Sequence, residues 1–79
     1  MYIAILNQNY GGNNHKEILG LYRELENAQN LIRSLADLMK QQFDFWEDPN
    51  STKNCIDLEG GLNSLRYWIL EKEVFEDEC

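Results

Sequence analysis

Seven apolar residues, Leu25, Ala28, Leu31, Ile32, Leu35, Leu38 and Met39, recur at helical spacing through the middle of this 79-residue chain. Residues three and four apart share one side of an α-helix, so the seven form a single apolar stripe. Glu26, Asn27, Asn30, Arg33, Ser34, Asp37, Lys40 and Gln41 fill the opposite side, and Glu24 and Glu26 suit the positive end of the helix dipole. The spacing predicts a helix over about residues 24–42. A helix of that length draws most of its stability from packing. Its stripe therefore needs a second layer, and in a chain long enough for one domain, residues 1–79, the flanking segments must supply it.

Those flanks carry the two-residue period of strands. Ile3, Ile5, Asn7 and Asn9 alternate with Ala4 and Leu6, which predicts a strand over 2–9. Gly11-Gly12-Asn13-Asn14 supplies residues that tolerate a tight reversal, and a return strand is expected over 17–22. After the helix, Asp48-Pro49-Asn50-Ser51 and Gly60-Gly61 are turn signals around a short Cys55-Ile56-Asp57-Leu58 piece, and 43–65 reads as a loop or insertion. Aromatic and branched residues return in Tyr67-Trp68-Ile69-Leu70 and Val74-Phe75, which predicts a third strand over 66–75. Leu58, Leu62, Leu65 and Ile69 also fit a helical stripe over 58–70. The strand is the preferred reading, because that helix would turn Tyr67, Leu70 and Val74 toward water. The expected fold class is α+β: a hairpin, one amphipathic helix and a C-terminal strand (ββαβ), with the antiparallel sheet packed on the helix.

Composition is that of a globular chain, with 43% hydrophobic and 27% charged residues and a single proline. The two cysteines, Cys55 and Cys79, do not make the dense framework of a small secreted scaffold. Met1 to Asn7 has no basic leader, and no segment reaches the ~18 apolar residues of a membrane span. The expectation is a cytoplasmic protein of the host cell without a membrane. Charge is unevenly placed. Residues 1–43 balance Glu17, Glu24, Glu26 and Asp37 against Lys16, Arg23, Arg33 and Lys40. Residues 44–79 set ten acids against Lys53, Arg66 and Lys72, so the net charge of −7 lies entirely in the second part. Such a surface repels nucleic acid and attracts a basic protein surface.

Ile18-Leu19-Gly20-Leu21-Tyr22, followed by Ala28 and Leu31-Ile32, resembles a group of small, mostly uncharacterised bacterial and phage proteins. In that group a hairpin ends in a Gly-x-aromatic step, enters a helix and closes with an acidic strand. The resemblance covers residues 2–42, with Tyr67 to Glu78 as the closing strand. It implies the ββαβ order and assigns no chemistry.

Several patterns invite a chemical reading. Asp48, Asn50, Thr52, Asn54 and Glu59 occupy positions 1, 3, 5, 7 and 12 of a calcium loop, but Lys53 replaces the glycine that the loop's sharp turn requires. An acidic turn is the simpler reading. His15 and Cys55 supply a base and a thiol without a local signature. The carboxylate pairs Asp44 and Glu47, Asp57 and Glu59, and Glu71 and Glu73 would need a pocket that separates their pKa values. Gly11-Gly12 and Gly60-Gly61 lack the strand, helix and lysine of a phosphate loop. No cofactor, no metal and no catalytic residue is expected.

Binding is the stronger expectation. Phe43-Asp44-Phe45-Trp46-Glu47-Asp48 interleaves aromatics with acids, which suits a contact hot spot with a charged rim and equally suits a cover for the helix end. The candidate partner-binding residues are Asp44, Phe45, Trp46, Glu47, Asp48, Asp57, Glu59, Glu71, Glu73, Glu76 and Asp77, the acids standing in for phosphates. In size and acidity the chain is similar in type to phage-encoded anti-CRISPR and anti-restriction inhibitors. The partner implied is a basic protein surface such as a nuclease or its guide complex. The alternative is an accessory homodimer formed through an unpaired strand edge.

Overall fold

The computed structural model describes residues 1–72. Strand β1 (Tyr2–Tyr10) turns into β2 (Asn13–Tyr22) through Gly11 and Gly12 alone. Both glycines have positive φ, 59° and 94°, the backbone of a type I′ turn, whose twist matches that of the strands it joins. Because two residues suffice, Asn13 and Asn14 belong to the ladder, opposite Tyr10 and Asn9. The second strand therefore starts four residues before the predicted 17. Its polar first half stays exposed at the edge of the sheet, where asparagine, histidine and lysine remain solvated.

Helix α1 (Leu25–Gln42) lies where its stripe predicts. The residues fully buried on it are Ala28, Ile32 and Ala36, a row spaced by four. The small alanines let the helix approach the sheet closely, while Leu31, Leu35 and Met39 flank the contact. Leu38, assigned to the stripe by its spacing, is 46% exposed. The stripe is narrower than the spacing indicates.

The segment 43–65 is not a loop. It contains β3 (Trp46–Glu47) and β4 (Cys55–Gly60), and β5 (Asn63–Glu71) follows after the turn Gly61-Leu62. Ile56 and Leu58 alternate into the core from β4, a period-2 pattern too short to stand out between the turn signals. The alternative helix over 58–70 is excluded, since Leu58 and Leu65 face each other across the β4–β5 hairpin. The last strand begins at 63 and its described part ends at 71, so residues 73–75 of the predicted strand lie outside the described residues. The expected ββαβ order thus becomes ββαβββ.

Among the described residues the sheet has five strands in the order β2-β1-β5-β4-β3, every neighbouring pair antiparallel. Strand β5 returns between β1 and β4, and reciprocal backbone bonds between Met1 and Lys72 tie the open ends of β1 and β5. The core consists of Ala4 and Leu6 from β1, Ile56 and Leu58 from β4 and Leu65 and Tyr67 from β5, packed against Ile32 and Ala36. No helix is long and apolar enough to cross a membrane among the described residues.

One irregularity matters for the surface. Ala4 pairs with Gly20 but Ile5 pairs with Ile18, so Leu19 is an extra residue in β2, a β-bulge. The bulge sends Leu19 to the core side and puts Ile18 beside Ile5 on the other face. Simple alternation would group Ile18 with Gly20 and Tyr22.

Truncating Ile32 to alanine removes a fully buried side chain from this helix–sheet contact and is expected to cost about 2 to 5 kcal/mol in a denaturant melt. Leu38→Ala should change the same measurement by no more than about 0.5 kcal/mol. Equal losses from the two substitutions would contradict the packing described.

Candidate functional site

Residues paired across the strands share a face, so the registers place each candidate residue. On the helix side, Phe45 packs against the core, and its ring sits over Gly60, where an added Cβ would come within 2.9 Å of it. This close approach holds the segment after the helix against the sheet. Phe45 is therefore half-buried against the core, with its ring turned to the helix side. Glu47, opposite Leu58, also points to the helix side.

There Glu47 is the hub of an ion cluster. Arg33 donates to both of its carboxylate oxygens, at 2.7 and 3.3 Å, and Lys40 donates to Oε1 at 3.0 Å. Arg33 also donates to Asp37 at 2.8 Å. The hydrogen bonds from Arg33 and then Lys40 lower the Glu47 pKa from its ordinary 4.5 to about 2. The cluster clamps β3 onto α1 and borders a cleft of about 540 Å³ that is also lined by Glu26 and Lys53. Glu47 thus has its charge neutralised within the chain.

The other face of the sheet has no covering element among the described residues. Its residues fall into rows that run across the strands. At the end near the two turns stand Trp46, Glu59, Ser64, Asn9 and Asn14, each opposite the next. The next row runs Asp57, Arg66, Asn7 and Lys16, and Asp48 extends it at the β3 end through its N–H to the Asp57 carbonyl. Then come Cys55, Trp68, Ile5 and Ile18, and last Leu70, Ile3 and Leu21. The face thus passes from polar to apolar along the strands, and along its charged row from acidic at β3 to basic at β2.

Of the sequence-predicted residues, the uncovered face brings together Trp46, Asp48, Asp57 and Glu59. Trp46 is 55% exposed beside Glu59. Asp57 is paired with Arg66, whose Nε donates to it at 2.7 Å. Asp48, Glu59 and Asp44 make no ion pair among the described residues. Asp44 lies in the turn after the helix, and Glu71 lies at the far end of β5, opposite Tyr2, away from the acidic margin. Glu73, Glu76 and Asp77 lie outside the described residues. A shallow polar cleft of about 370 Å³ crosses the acidic end of the face, between Asp48, Asp57 and Glu59 on one side and Asn7, Asn9 and Asn14 on the other.

The chemical patterns do not assemble. His15 pairs with Gln8 and Cys55 with Trp68, which sets the two on opposite faces with two strands between theirs. Burial, then the nearby Asp57 charge, pushes the Cys55 thiol pKa up, away from a reactive thiolate. Three of the five calcium-like positions engage protein donors: Asp48 Oδ1 accepts from the Asn50 N–H and Thr52 from the Asn54 N–H within turns, and Asn54 accepts from Gln29 of the helix. Among the described residues no group of three or more His, Cys, Asp or Glu is placed to hold a metal ion.

Sequence reasoning passed over Ile3, Ile18, Leu21, Trp68 and Leu70 as surface residues. The available signal was β1 itself, whose Ile3 and Ile5 oppose Ala4 and Leu6. Apolar residues on both sides of a strand are the mark of a sheet covered twice.

Glu47 has a depressed pKa, so its contribution to stability is present above about 4.5 and is lost as pH falls toward about 2. Its partners Arg33 and Lys40 are 44% and 35% exposed, and solvent screening limits the effect to about 1 kcal/mol or less. Glu47→Gln should lower stability at neutral pH and flatten the acid limb of the stability curve over that window. An unchanged acid limb would show that the clamp contributes nothing.

No protein-family model matches this chain, and neither a curated protein nor a solved structure does.

Proposed function

We propose that this chain is a non-catalytic acidic binding protein that occludes a basic groove on its partner, in the manner of anti-CRISPR or anti-restriction inhibitors of nucleic-acid-binding defence complexes. The observation that carries this reading is the β3–β4 margin of the uncovered face. Exposed Trp46 stands there beside Glu59 and next to Asp48, and neither carboxylate is in an ion pair among the described residues. An aromatic anchor with a rim of acids that keep their charge is what a basic, partly apolar groove would take. The effective acids are Asp44, Asp48 and Glu59, with Glu71 on a different part of the surface. Glu47 and Asp57 contribute geometry and little net charge. The partner is a nuclease or its guide complex, met in the cytoplasm.

A second reading, an accessory homodimer, is supported by β2, which is paired on one side only, and by the exposed Ile18 and Leu21 on it. Inhibition assays separate the two. The first reading expects the chain to block cleavage by at least one guide-loaded nuclease or restriction enzyme, with potency that falls as salt rises. Replacing Asp44, Asp48, Glu59 and Glu71 by their amides should weaken that inhibition at least tenfold while leaving the thermal melt unchanged. Inhibition that ignores both salt and the four substitutions would sink the occlusion mechanism.

A further inference from the structure

The uncovered face is apolar where an antiparallel sheet facing water would be polar. Outward positions at the open end hold Ile3, Ile5, Ile18, Leu21, Trp68 and Leu70. Ile18 is 64% exposed, Leu21 61% and Leu70 41%. Ile5 is buried, and Lys16 lies over the Trp68 ring at 5.7 Å. The patch is contiguous across β2, β1 and β5, which makes it a contact surface by the usual meaning of such patches.

We propose that its occupant is a second copy of this chain, stacked face to face about a two-fold axis that runs along the strands between β1 and β5. The inference goes beyond the reading of the β3–β4 margin as the contact for a basic partner and concerns the apolar rows beside it. The symmetry follows from the rows. A two-fold axis along the strands keeps each row over itself and reverses its direction, so apolar rows meet apolar rows and Lys16 meets the Asp57–Arg66 pair of the other copy. Lys16 then faces Asp57 of the other copy, Ile5 faces Trp68, Ile3 faces Leu70 and Ile18 faces Cys55. An axis across the strands would instead set the polar row on the apolar one. Only the first orientation keeps the apolar rows together.

Size agrees with this partner. Four overlapping strands at ~4.8 Å and four rows at ~6.8 Å give a contact on the order of 500 Å² in projection, which side-chain relief brings toward the roughly 800 Å² per partner of a stable interface. Pairing through the β2 edge fits less well, because the bulge at Leu19 and the charged pair Lys16-Glu17 are devices that discourage edge-to-edge association. With the axis between β1 and β5, strand β3 overhangs at each end. Trp46 and Asp48 of both copies stay outside the contact, so the dimer presents two acidic margins to a basic partner.

Sedimentation equilibrium of the full chain tests the proposal. The expected mass is twice the 9.3 kDa of one chain, and Leu21→Asp and Lys16→Glu should each weaken the dimer at least tenfold while the circular dichroism spectrum stays unchanged. Geometry is tested by Ile18→Cys in a Cys79→Ser background. With a short bismaleimide, whose span suits thiols that point at each other from sheets stacked ~10 Å apart, the introduced thiol should join Cys55 of the other copy and give a covalent dimer that Cys55→Ser abolishes. The same two positions within one chain are three strand spacings apart, roughly 14 Å, and a link between them would leave the mass of a single chain. A monomer at high micromolar concentration overturns the proposal, as does a dimer that survives Leu21→Asp and gives no cross-link. Nuclease inhibition by such a monomer, lost in Leu21→Asp, would keep this face as the contact surface and remove only the second copy.

Discussion

The contact between one helix and one side of a wide sheet governs the rest of this structure. Ala28, Ile32 and Ala36 press onto the sheet with no exposed surface of their own, and Ala4, Leu6, Ile56, Leu58, Leu65 and Tyr67 meet them from three strands. An α-helix with side chains is about 10 to 12 Å across, whereas five strands span roughly 24 Å. One helix therefore covers the middle of one face, and nothing in the described chain is left to cover the other. The short β3 and the Phe45 ring extend the cover on the helix side, where the Glu47 clamp fastens them. The uncovered face is the geometric consequence of having one helix and five strands.

Electrostatics divides along the same line. The acids of the second part of the chain are not equivalent once folded. Glu47 and Asp57 meet guanidinium groups within 2.7 Å and lose most of their outward field. Asp48 and Glu59 keep theirs because the strands carry them to a margin where Arg66 is already engaged. The pairing leaves the net charge of −7 unchanged, since that charge belongs to the chain as a whole. What the fold adds is a place for the unpaired carboxylates of Asp48 and Glu59, next to an exposed tryptophan and an apolar patch.

How much of this was legible in the sequence depended on the length and purity of each pattern. The helix was legible almost to the residue because its period repeats over five turns. The first strand and its glycine turn were legible because Gly11-Gly12 admits few alternatives. Strand β4 was missed because Cys55-Ile56-Asp57-Leu58 offers only two inward residues between turn signals, too few for a period to declare itself. The bulge at Leu19 was invisible, since an extra residue in a strand alters the partner of every residue beyond it without changing local composition. Among the candidate contact residues, Trp46, Asp48 and Glu59 fall on one surface. Glu47 and Phe45 do not, because adjacent residues of an extended chain point to opposite sides and the six-residue run from Phe43 to Asp48 cannot present one face.

By itself the sequence determined an acidic α+β chain with one amphipathic helix and a glycine-turned hairpin, because those properties depend on charge count, helical period and local backbone freedom. Tertiary structure alone decided which side of each strand the helix would cover, which carboxylates would find cations, and which apolar residues would be left outside. Those outcomes are set by register and by contacts between residues far apart in the chain, among them Arg33 with Glu47, Ile5 with Trp68 and Leu58 with Leu65. Register has no signature in any single segment. It arises only when the strands pair and one face takes the helix.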